Sequence, residues 1–469
     1  MKTPIAAFFA LLAGLVASAS YHPIHFWPAL FVGIGALYKL NVTSGIFSIR
    51  SRIMVNFIFG IFFQILTLHW IGTYVGAPAW IALVLMQALF FIVFSYASTP
   101  LSFALIWVLF EFILRTFPFG GFGWSRIGYA LTESPFNYLY PRIGIVGVAF
   151  ILVLGITLIL QEGLKGAAKS AVILAVLALI PVHVVEKGSM KVALVQGGQE
   201  LKLDNTFENS EAALAKHFKA TEVIQPNSVD LVIWPENAVG HDPFIRRSTN
   251  KNLISEIERI RAPILVNANL IDGTNGSVLI GDGKDQSYSK RYLTPFGEFI
   301  PFKSIVGKLS DKADKVIDYL PGSAPYLFTT DKGSFRTLIC YELLSDKQAR
   351  TEMSDADFIV AQTNNATYFK TWQLDQELAI SQARSAETSR QSAYVSTTGI
   401  TSLIDQRGKV FKSIPKYENQ VLVGEVKLRQ GATPASKYGS LLEFLLLGWL
   451  LLLLIASRAF GRKSRDFLY

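Results

Sequence analysis

Residues 167–196 read AAKSAVILAVLALIPVHVVEKGSMKVALVQ, and the texture of the chain changes inside this stretch. Residues 167–185 are mostly apolar and predict a membrane-spanning helix. A polar break, Glu186-Lys187-Gly188-Ser189, follows, and 191–196 (KVALVQ) predict a β-strand. A membrane region over 1–187 and a second domain over 188–435 are therefore expected to meet here, with a last membrane helix and basic tail over 436–469.

Upstream of the break the apolar texture recurs. Runs at 4–19, 26–40, 54–70, 80–96, 101–114 and 143–160 predict six more spans, and 441–455 predicts an eighth. A bilayer core takes about 20 helical residues, so flanking Trp, Tyr and Pro are expected to extend the shorter runs into the interface. The 101–114 run reads equally as a buried or re-entrant helix. The first run, with Lys2 before it and Ala17-Ser18-Ala19-Ser20 after it, also has the look of a secretory signal. Further spans follow at once, so a retained helix is expected. Glu111 lies within a span, where a carboxylate points to a function, and an i,i+4 pair with Arg115 is the plainer expectation.

Loop charges orient the spans. Lys39, Arg50 and Arg52, then Lys165 and Lys169, then Arg458, Arg462, Lys463 and Arg465 all fall on one side if eight spans are counted. That side is the cytoplasm, and it holds both termini. Arg115, Arg126 and Arg142 are the exception, and the 188–435 segment lies outside.

Composition agrees with this layout. Charged residues make up 17 % of the 469, against about 25 % in ordinary soluble domains. The hydrophobic share is 51 % and the mean hydropathy +0.36, which excludes a disordered chain. One cysteine excludes an intramolecular disulfide and a Cys-only zinc cluster, and no HExxH or CxxC spacing occurs. No metal or cofactor is expected. The net charge of +9 could mean nucleic acid, but the lysines of 188–435 are scattered, without an aromatic-interleaved stripe. Cytoplasmic loops meeting anionic headgroups explain it better.

Beyond 188, β-prone runs at 231–233, 264–266, 277–280 and 358–361 alternate with helical stretches such as 209–224 and 374–391, which predicts an α/β domain. Gly281-Asp282-Gly283 reads as a hairpin turn whose second strand ends near Lys290. Three polar groups stand at strand ends: Glu236 in Trp234-Pro235-Glu236, Lys290, and Cys340 after 334–339. Strand-to-loop junctions are where such domains place chemistry. A thiol has a reference pKa near 8.5, so it needs a base, and a carboxylate could take its proton. A lysine ammonium could favour the thiolate and then stabilise an oxyanion, with the Tyr341 N–H as a second donor and Glu298 orienting the lysine. Each residue also has a bland reading: a buried small hydrophobe, a solvated acid, a surface lysine. A Cys–His pair using His217 or His241 stays open as well.

Five segments in order, Lys191–Gly197 (KVALVQG), Trp234-Pro235-Glu236, Tyr288-Ser289-Lys290, 295–301 (PFGEFIP) and Cys340-Tyr341-Glu342, resemble the carbon–nitrogen hydrolase (nitrilase) superfamily. The PFGEFIP stretch and the bracketing spans make the chain similar, more narrowly, to the apolipoprotein N-acyltransferase family. Residues 96–119 and 122–148, with Trp107, Glu111 and Gly128-Tyr129, resemble that family's membrane region. The resemblance implies a four-layer α-β-β-α sandwich of nitrilase type, outside the bacterial cytoplasmic membrane and attached to a helical bundle of about eight spans. It implies Glu236 as general base, Lys290 as oxyanion-stabilising lysine and Cys340 as nucleophile, supported by Glu298, Tyr341 and Glu342. It implies acyl transfer from a phospholipid, through a Cys thioester, to the lipid-modified N-terminal cysteine of an apolipoprotein, by a monomer that binds no nucleic acid. Phe296, Phe299 and Phe302 could line the opening for these lipids. The chain departs from the family at 198–203, 364–369 and 396–399, which bears on lipid and acceptor recognition. A membrane-tethered amidase or nitrile hydrolase, and a non-catalytic ligand-binding membrane protein, remain as other readings.

Overall fold

The computed structural model describes residues 3–42, 48–198, 206–301, 303 and 318–465. The chain divides into two compact units, Met1–Val182 with Lys437–Tyr469, and His183–Ser436.

The first unit is helical. Helices Thr3–Ser18, Ala29–Val42, Ile49–Thr67, Ala77–Phe90, Pro100–Thr116, Tyr140–Glu162, Leu164–Ala178 and Pro434–Arg465 coincide with the eight apolar runs. Among the described residues, four segments are long and apolar enough to cross a membrane: Ile49–Thr67, Ala77–Tyr96, Pro135–Glu162 and Pro434–Ser457. Thr3–Ser18 and Ala29–Val42 are apolar but shorter. Small residues let helices close in, as apolar side chains alone cannot in lipid. A Cβ on Gly14 would stand 2.6 Å from the Phe59 carbonyl oxygen of the neighbouring helix. The buried amides of Asn41 and Asn56 donate to each other at 2.8 Å, and Asn56 also donates to Ser95 Oγ at 3.0 Å.

Two expectations fail in this unit. The helix expected over 167–185 ends at Ala178, because Pro181 lacks an N–H and Val185 opens the first strand. The junction expected after residue 187 thus lies inside a strand. Glu111 and Arg115 do not pair either. Buried Glu111 receives Arg126 Nε at 3.2 Å, Trp107 Nε1 at 3.2 Å and the Ile127 N–H at 3.1 Å, while Arg115 pairs with Glu443. Arg126 is fully buried, and two charges removed from water must satisfy each other. Arg115, at the end of its helix, reaches another partner instead.

Among the described residues, the second unit holds two six-stranded mixed sheets with helices beside them. One runs β12-β1-β2-β3-β4-β5, with β1 Val185–Gln196, β2 Leu231–Ile233, β3 Ile264–Asn269, β4 Asn275–Ile280, β5 Gln286–Ser289 and β12 Gln420–Gln430. The other runs β11-β10-β9-β8-β7-β6, with β6 Leu327–Thr329, β7 Ser334–Ile339, β8 Phe358–Thr363, β9 Ser392–Ser396, β10 Ser402–Ile404 and β11 Val410–Ser413. The pairs β1–β2, β2–β3, β7–β8 and β8–β9 are parallel. The KVALVQ run has no polar alternation because both of its faces are covered. Val192 and Leu194 enter an apolar core shared with Phe335, Phe358 and Val360 of the other sheet. Ala193 and Val195 pack outward with Leu214 and Leu253, from helices Thr206–Thr221 and Arg247–Ile260. Helix Gln373–Thr388, buried at every position but Asp375, accompanies the second sheet and completes an α-β-β-α order. Gly281 (φ 94°) and Gly283 (φ 76°) form the expected hairpin turn between β4 and β5, at dihedrals that glycine tolerates.

Candidate active site

The loops that leave β2, β5 and β7 carry the polar groups, and these meet around Lys290. Glu236 follows β2 by three residues and is almost fully buried. Lys290, also buried, directly follows β5. Cys340 directly follows β7 and is partly exposed. Each loop contains a non-glycine residue with positive φ: Asn237 at 55°, Phe296 at 63° and Cys340 itself at 48°. Such backbone costs of order 1–3 kcal/mol and persists where neighbours enforce it. At Cys340 it turns the chain out of β7 into the short helix Cys340–Leu344.

Lys290 is the centre of the cluster. Its Nζ donates to Glu236 Oε1 at 3.0 Å and to Glu298 Oε1 at 2.8 Å. Asn275 Nδ2 bridges the same two carboxylates, at 3.0 Å each. Glu236 Oε2 accepts the Asn364 N–H at 3.0 Å, and Glu298 Oε2 accepts the Thr294 N–H at 2.7 Å. Below this cluster Gln362 of β8 ties the two sheets together. It donates to the Trp234 carbonyl at 2.7 Å and accepts Ser277 Oγ of β4 at 2.6 Å.

Glu342 fixes the lysine relative to the thiol. Its Oε2 accepts the N–H of Ile339, just before Cys340, at 3.0 Å. Its Oε1 accepts the N–H groups of Arg291 at 2.8 Å and Tyr292 at 3.3 Å, just after Lys290, and Tyr288 Oη at 2.6 Å. One carboxylate therefore grips both strand ends across the sandwich.

Sequence reasoning missed Glu377. This residue of helix Gln373–Thr388 accepts the Cys340 thiol at Oε1, 3.5 Å away. Its Oε2 accepts Tyr394 Oη at 3.1 Å and the Asn365 amide. The signal was a helix whose polar residues Gln373, Glu377 and Arg384 recur at helical spacing on a buried face. The histidines do not take this place. His217 packs on Trp234 and donates from Nδ1 to the Ala213 carbonyl at 2.7 Å, while His241 Nε2 meets Thr249 Oγ1 at 2.8 Å. Burial pulls His217 down to about 4, so it is uncharged at neutral pH.

The charges follow from this packing. Burial would lower the lysine, but the Glu236 and Glu298 carboxylates outweigh it and hold Lys290 as an ammonium. Burial pushes Glu236 above the ordinary carboxylate range, with Lys290 opposing. Burial acts on Glu298 too, but there Lys290 and the Thr294 N–H win and lower it. Burial, with the Glu236 carboxylate adding, raises the Cys340 thiol, against Lys290. Burial makes Glu236 a stronger base than an ordinary carboxylate, which suits it to accept the proton of the thiol.

Phe296 is exposed and Phe299 half-buried, while Phe302 lies outside the described residues. Of the departing segments, 199–203 also lie outside them. Asn364 reaches Glu236 as above, and Thr397 Oγ1 donates to Asn364 Oδ1 at 3.0 Å.

A two-sheet sandwich with a thiol at a strained strand end, next to a buried lysine held by two carboxylates, has the means for acyl transfer through a thioester. Residues 191–433 match the carbon-nitrogen hydrolase family model, and the chain belongs to that family. Residues 13–158 match the apolipoprotein N-acyltransferase N-terminal domain. The apolipoprotein N-acyltransferase of Haemophilus influenzae is 26% identical over 98% of this chain and 96% of its own. Those of Coxiella burnetii (28%, 94% of this chain and 99% of its own) and Mycolicibacterium smegmatis (29%, 97% and 85%) are similar to it as well. Among solved structures, a CN-hydrolase superfamily protein from Xanthomonas campestris aligns at TM-score 0.40 and 18% identity, over 51% of this chain and 91% of its own. The apolar helices and these relatives mark a membrane protein.

Proposed function

We propose that the protein is an apolipoprotein N-acyltransferase that completes lipoprotein maturation by a two-stage acyl transfer. Glu236 takes the proton of Cys340, and the thiolate attacks an ester carbonyl of a membrane phospholipid. Lys290 and the Tyr341 N–H receive the oxyanion, the carbon–oxygen bond breaks, and the lysophospholipid leaves as an alcohol with the proton from Glu236. The acyl chain stays on Cys340 as a thioester. The α-amine of the lipid-modified N-terminal cysteine of an apolipoprotein then attacks it, an amide forms, and the thiol is regenerated. Amines attack thioesters readily, and the buried carboxylates stand ready to accept the ammonium proton.

The observation that carries this reading is the Lys290 ammonium held between Glu236 and Glu298 at 3.0 and 2.8 Å, joined through Glu342 to the strand end that bears Cys340. The matches to apolipoprotein N-acyltransferases at both ends of the chain support the substrate class. We infer further that the eight apolar helices named above cross or enter the bacterial inner membrane, that both termini are cytoplasmic, and that the His183–Ser436 unit is extracytoplasmic. The protein acts as a monomer and without nucleic acid.

Labelled phospholipid should leave a hydroxylamine-sensitive acyl group on the wild type and none on Cys340→Ser. Glu236→Gln and Lys290→Ala should also lose it while remaining folded. Persisting label in Cys340→Ser would remove the nucleophile. Release of ammonia from small amides without lipid dependence would favour a hydrolase instead.

A further inference from the structure

The mechanism above leaves one buried acid beside the sulfur unused. Glu377 is 1% exposed, and its two oxygens have different surroundings. Oε2 accepts Tyr394 Oη, the Asn365 Nδ2 amide and, more distantly at 3.5 Å, the Gln373 Nε2 amide. With its lone pairs occupied by donors, Oε2 has no room for a proton. Oε1 faces only Cys340 Sγ among the described hydrogen bonds, at 3.5 Å. A proton on this carboxyl therefore has one place to sit, on the line to the sulfur.

We propose that Glu377 is a neutral carboxylic acid whose Oε1–H donates to the Cys340 thiolate and sets how readily that thiolate forms. The inference rests on Cys340 being the nucleophile. Charge counting supports it. Glu236 after β2, Lys290 after β5, Glu298 in the following loop and Tyr394 of β9 face this space with Cys340 and Glu377. With Glu377 neutral, one ammonium meets two carboxylates, and moving the thiol proton to Glu236 leaves the net charge of the pocket unchanged. With Glu377 ionised, the pocket would carry one more negative charge and the thiolate would form beside an uncompensated carboxylate, in a place where buried charge is costly. Burial also pushes Glu377 above the ordinary carboxylate range, the Asn365 hydrogen bond opposing and the Glu236 charge adding. The helix that carries it is fastened to the nucleophile's turn by Arg384 Nε, which donates to the Leu343 carbonyl at 2.7 Å.

Glu377→Gln provides the discriminating variant. The Tyr394 and Asn365 donors require the amide oxygen on their side, which leaves the amide N–H group pointing at the sulfur. Cys340 is the chain's one cysteine, so iodoacetamide alkylation of the full-length protein in detergent reports its ionisation without turnover. The pH midpoint of alkylation in Glu377→Gln should stay within about half a unit of wild type, and in Glu377→Leu it should rise by about one unit or more, as expected for losing a hydrogen bond to a charged group. Acyl-enzyme formation should follow the same order, with Glu377→Gln rescuing what Glu377→Leu loses. A midpoint that falls by a unit or more in Glu377→Gln would overturn the proposal, because it would reveal an ionised neighbour suppressing the thiolate. An unchanged midpoint in Glu377→Leu would overturn it too. Should Glu377→Leu not fold, the Glu377→Gln midpoint decides alone. A wrong nucleophile would show instead as acyl label surviving in Cys340→Ser, whatever the alkylation midpoints do.

Discussion

The His183–Ser436 unit contains two buried charge networks built on opposite principles. In one, Arg384 binds Glu387 at 2.7 Å and Asp346 at 2.8 Å, while Arg350 binds Glu387 at 2.6 Å. Two guanidiniums face two carboxylates, each in a fixed fork of donors that cannot lose its proton. Burial would raise Glu387, yet the two arginines prevail and hold it below the ordinary range. This network pins helix Gln373–Thr388 to the segment after Cys340. In the other, a single lysine faces Glu236 and Glu298, with a thiol and Glu377 nearby. Here carboxylates exceed cations, and Glu236 goes up rather than down. The balanced network can only stay as it is. The unbalanced one has a proton to move, which distinguishes a site from a staple.

The sharpest way to break this contrast is to remove the central cation from each. Arg384→Met leaves charges that do not readily take protons, and it should cost about 3–5 kcal/mol in denaturant or thermal unfolding. Lys290→Met should cost distinctly less, because Glu236 is already raised and takes a proton in place of the lost ammonium. Its acyl-enzyme formation should fall by at least roughly 100-fold. Equal stability losses in the two variants would erase the distinction.

The sequence allowed one side of the contrast to be read and not the other. Glu236, Lys290 and Cys340 each follow a short β-prone run, so local pattern was enough to place them at strand ends, and the glycine turn at 281–283 set the β4–β5 pairing. The partners of Glu377, Arg384 and Asp346 come from sheet and helix packing between distant segments, which no local pattern encodes. The same limit undid the Glu111–Arg115 pair: helical spacing permitted it, but burial of Arg126 decided it. The end of the helix at Ala178 was missed because apolar residues continue through Pro181 into a strand that is apolar for another reason.

Glu342→Gln tests the link between strand ends at intermediate size. A glutamine has one oxygen where Glu342 uses two, so either the Ile339 N–H or the group formed by Arg291, Tyr292 and Tyr288 meets an amide donor. Leaving buried donors unpaired should cost about 1–3 kcal/mol. Acyl-enzyme formation should fall roughly ten- to a hundredfold, because Lys290 and Cys340 lose their fixed separation. A variant that lost stability and kept full acylation would show that the grip is structural only.

The smallest effect is a dependence of stability on pH, and its sign separates the carboxylates. Glu298 and Glu387 titrate lower in the folded protein than in the unfolded chain. Their contribution is present above about pH 4, the unfolded value, and is lost as pH falls through the folded values. Glu236 is raised, so its contribution is complete below about pH 4 and is lost as pH rises through its folded value. Glu236→Gln removes that loss and keeps the shape. The melting temperature of Glu236→Gln minus that of wild type should therefore increase as pH rises from the acid range to neutrality. Glu298→Gln should show the reverse trend, its deficit growing as pH rises through the low folded value. Parallel curves for Glu236→Gln and wild type would mean that Lys290 holds Glu236 as firmly as the arginines hold Glu387, and the two networks would then differ in composition but not in kind.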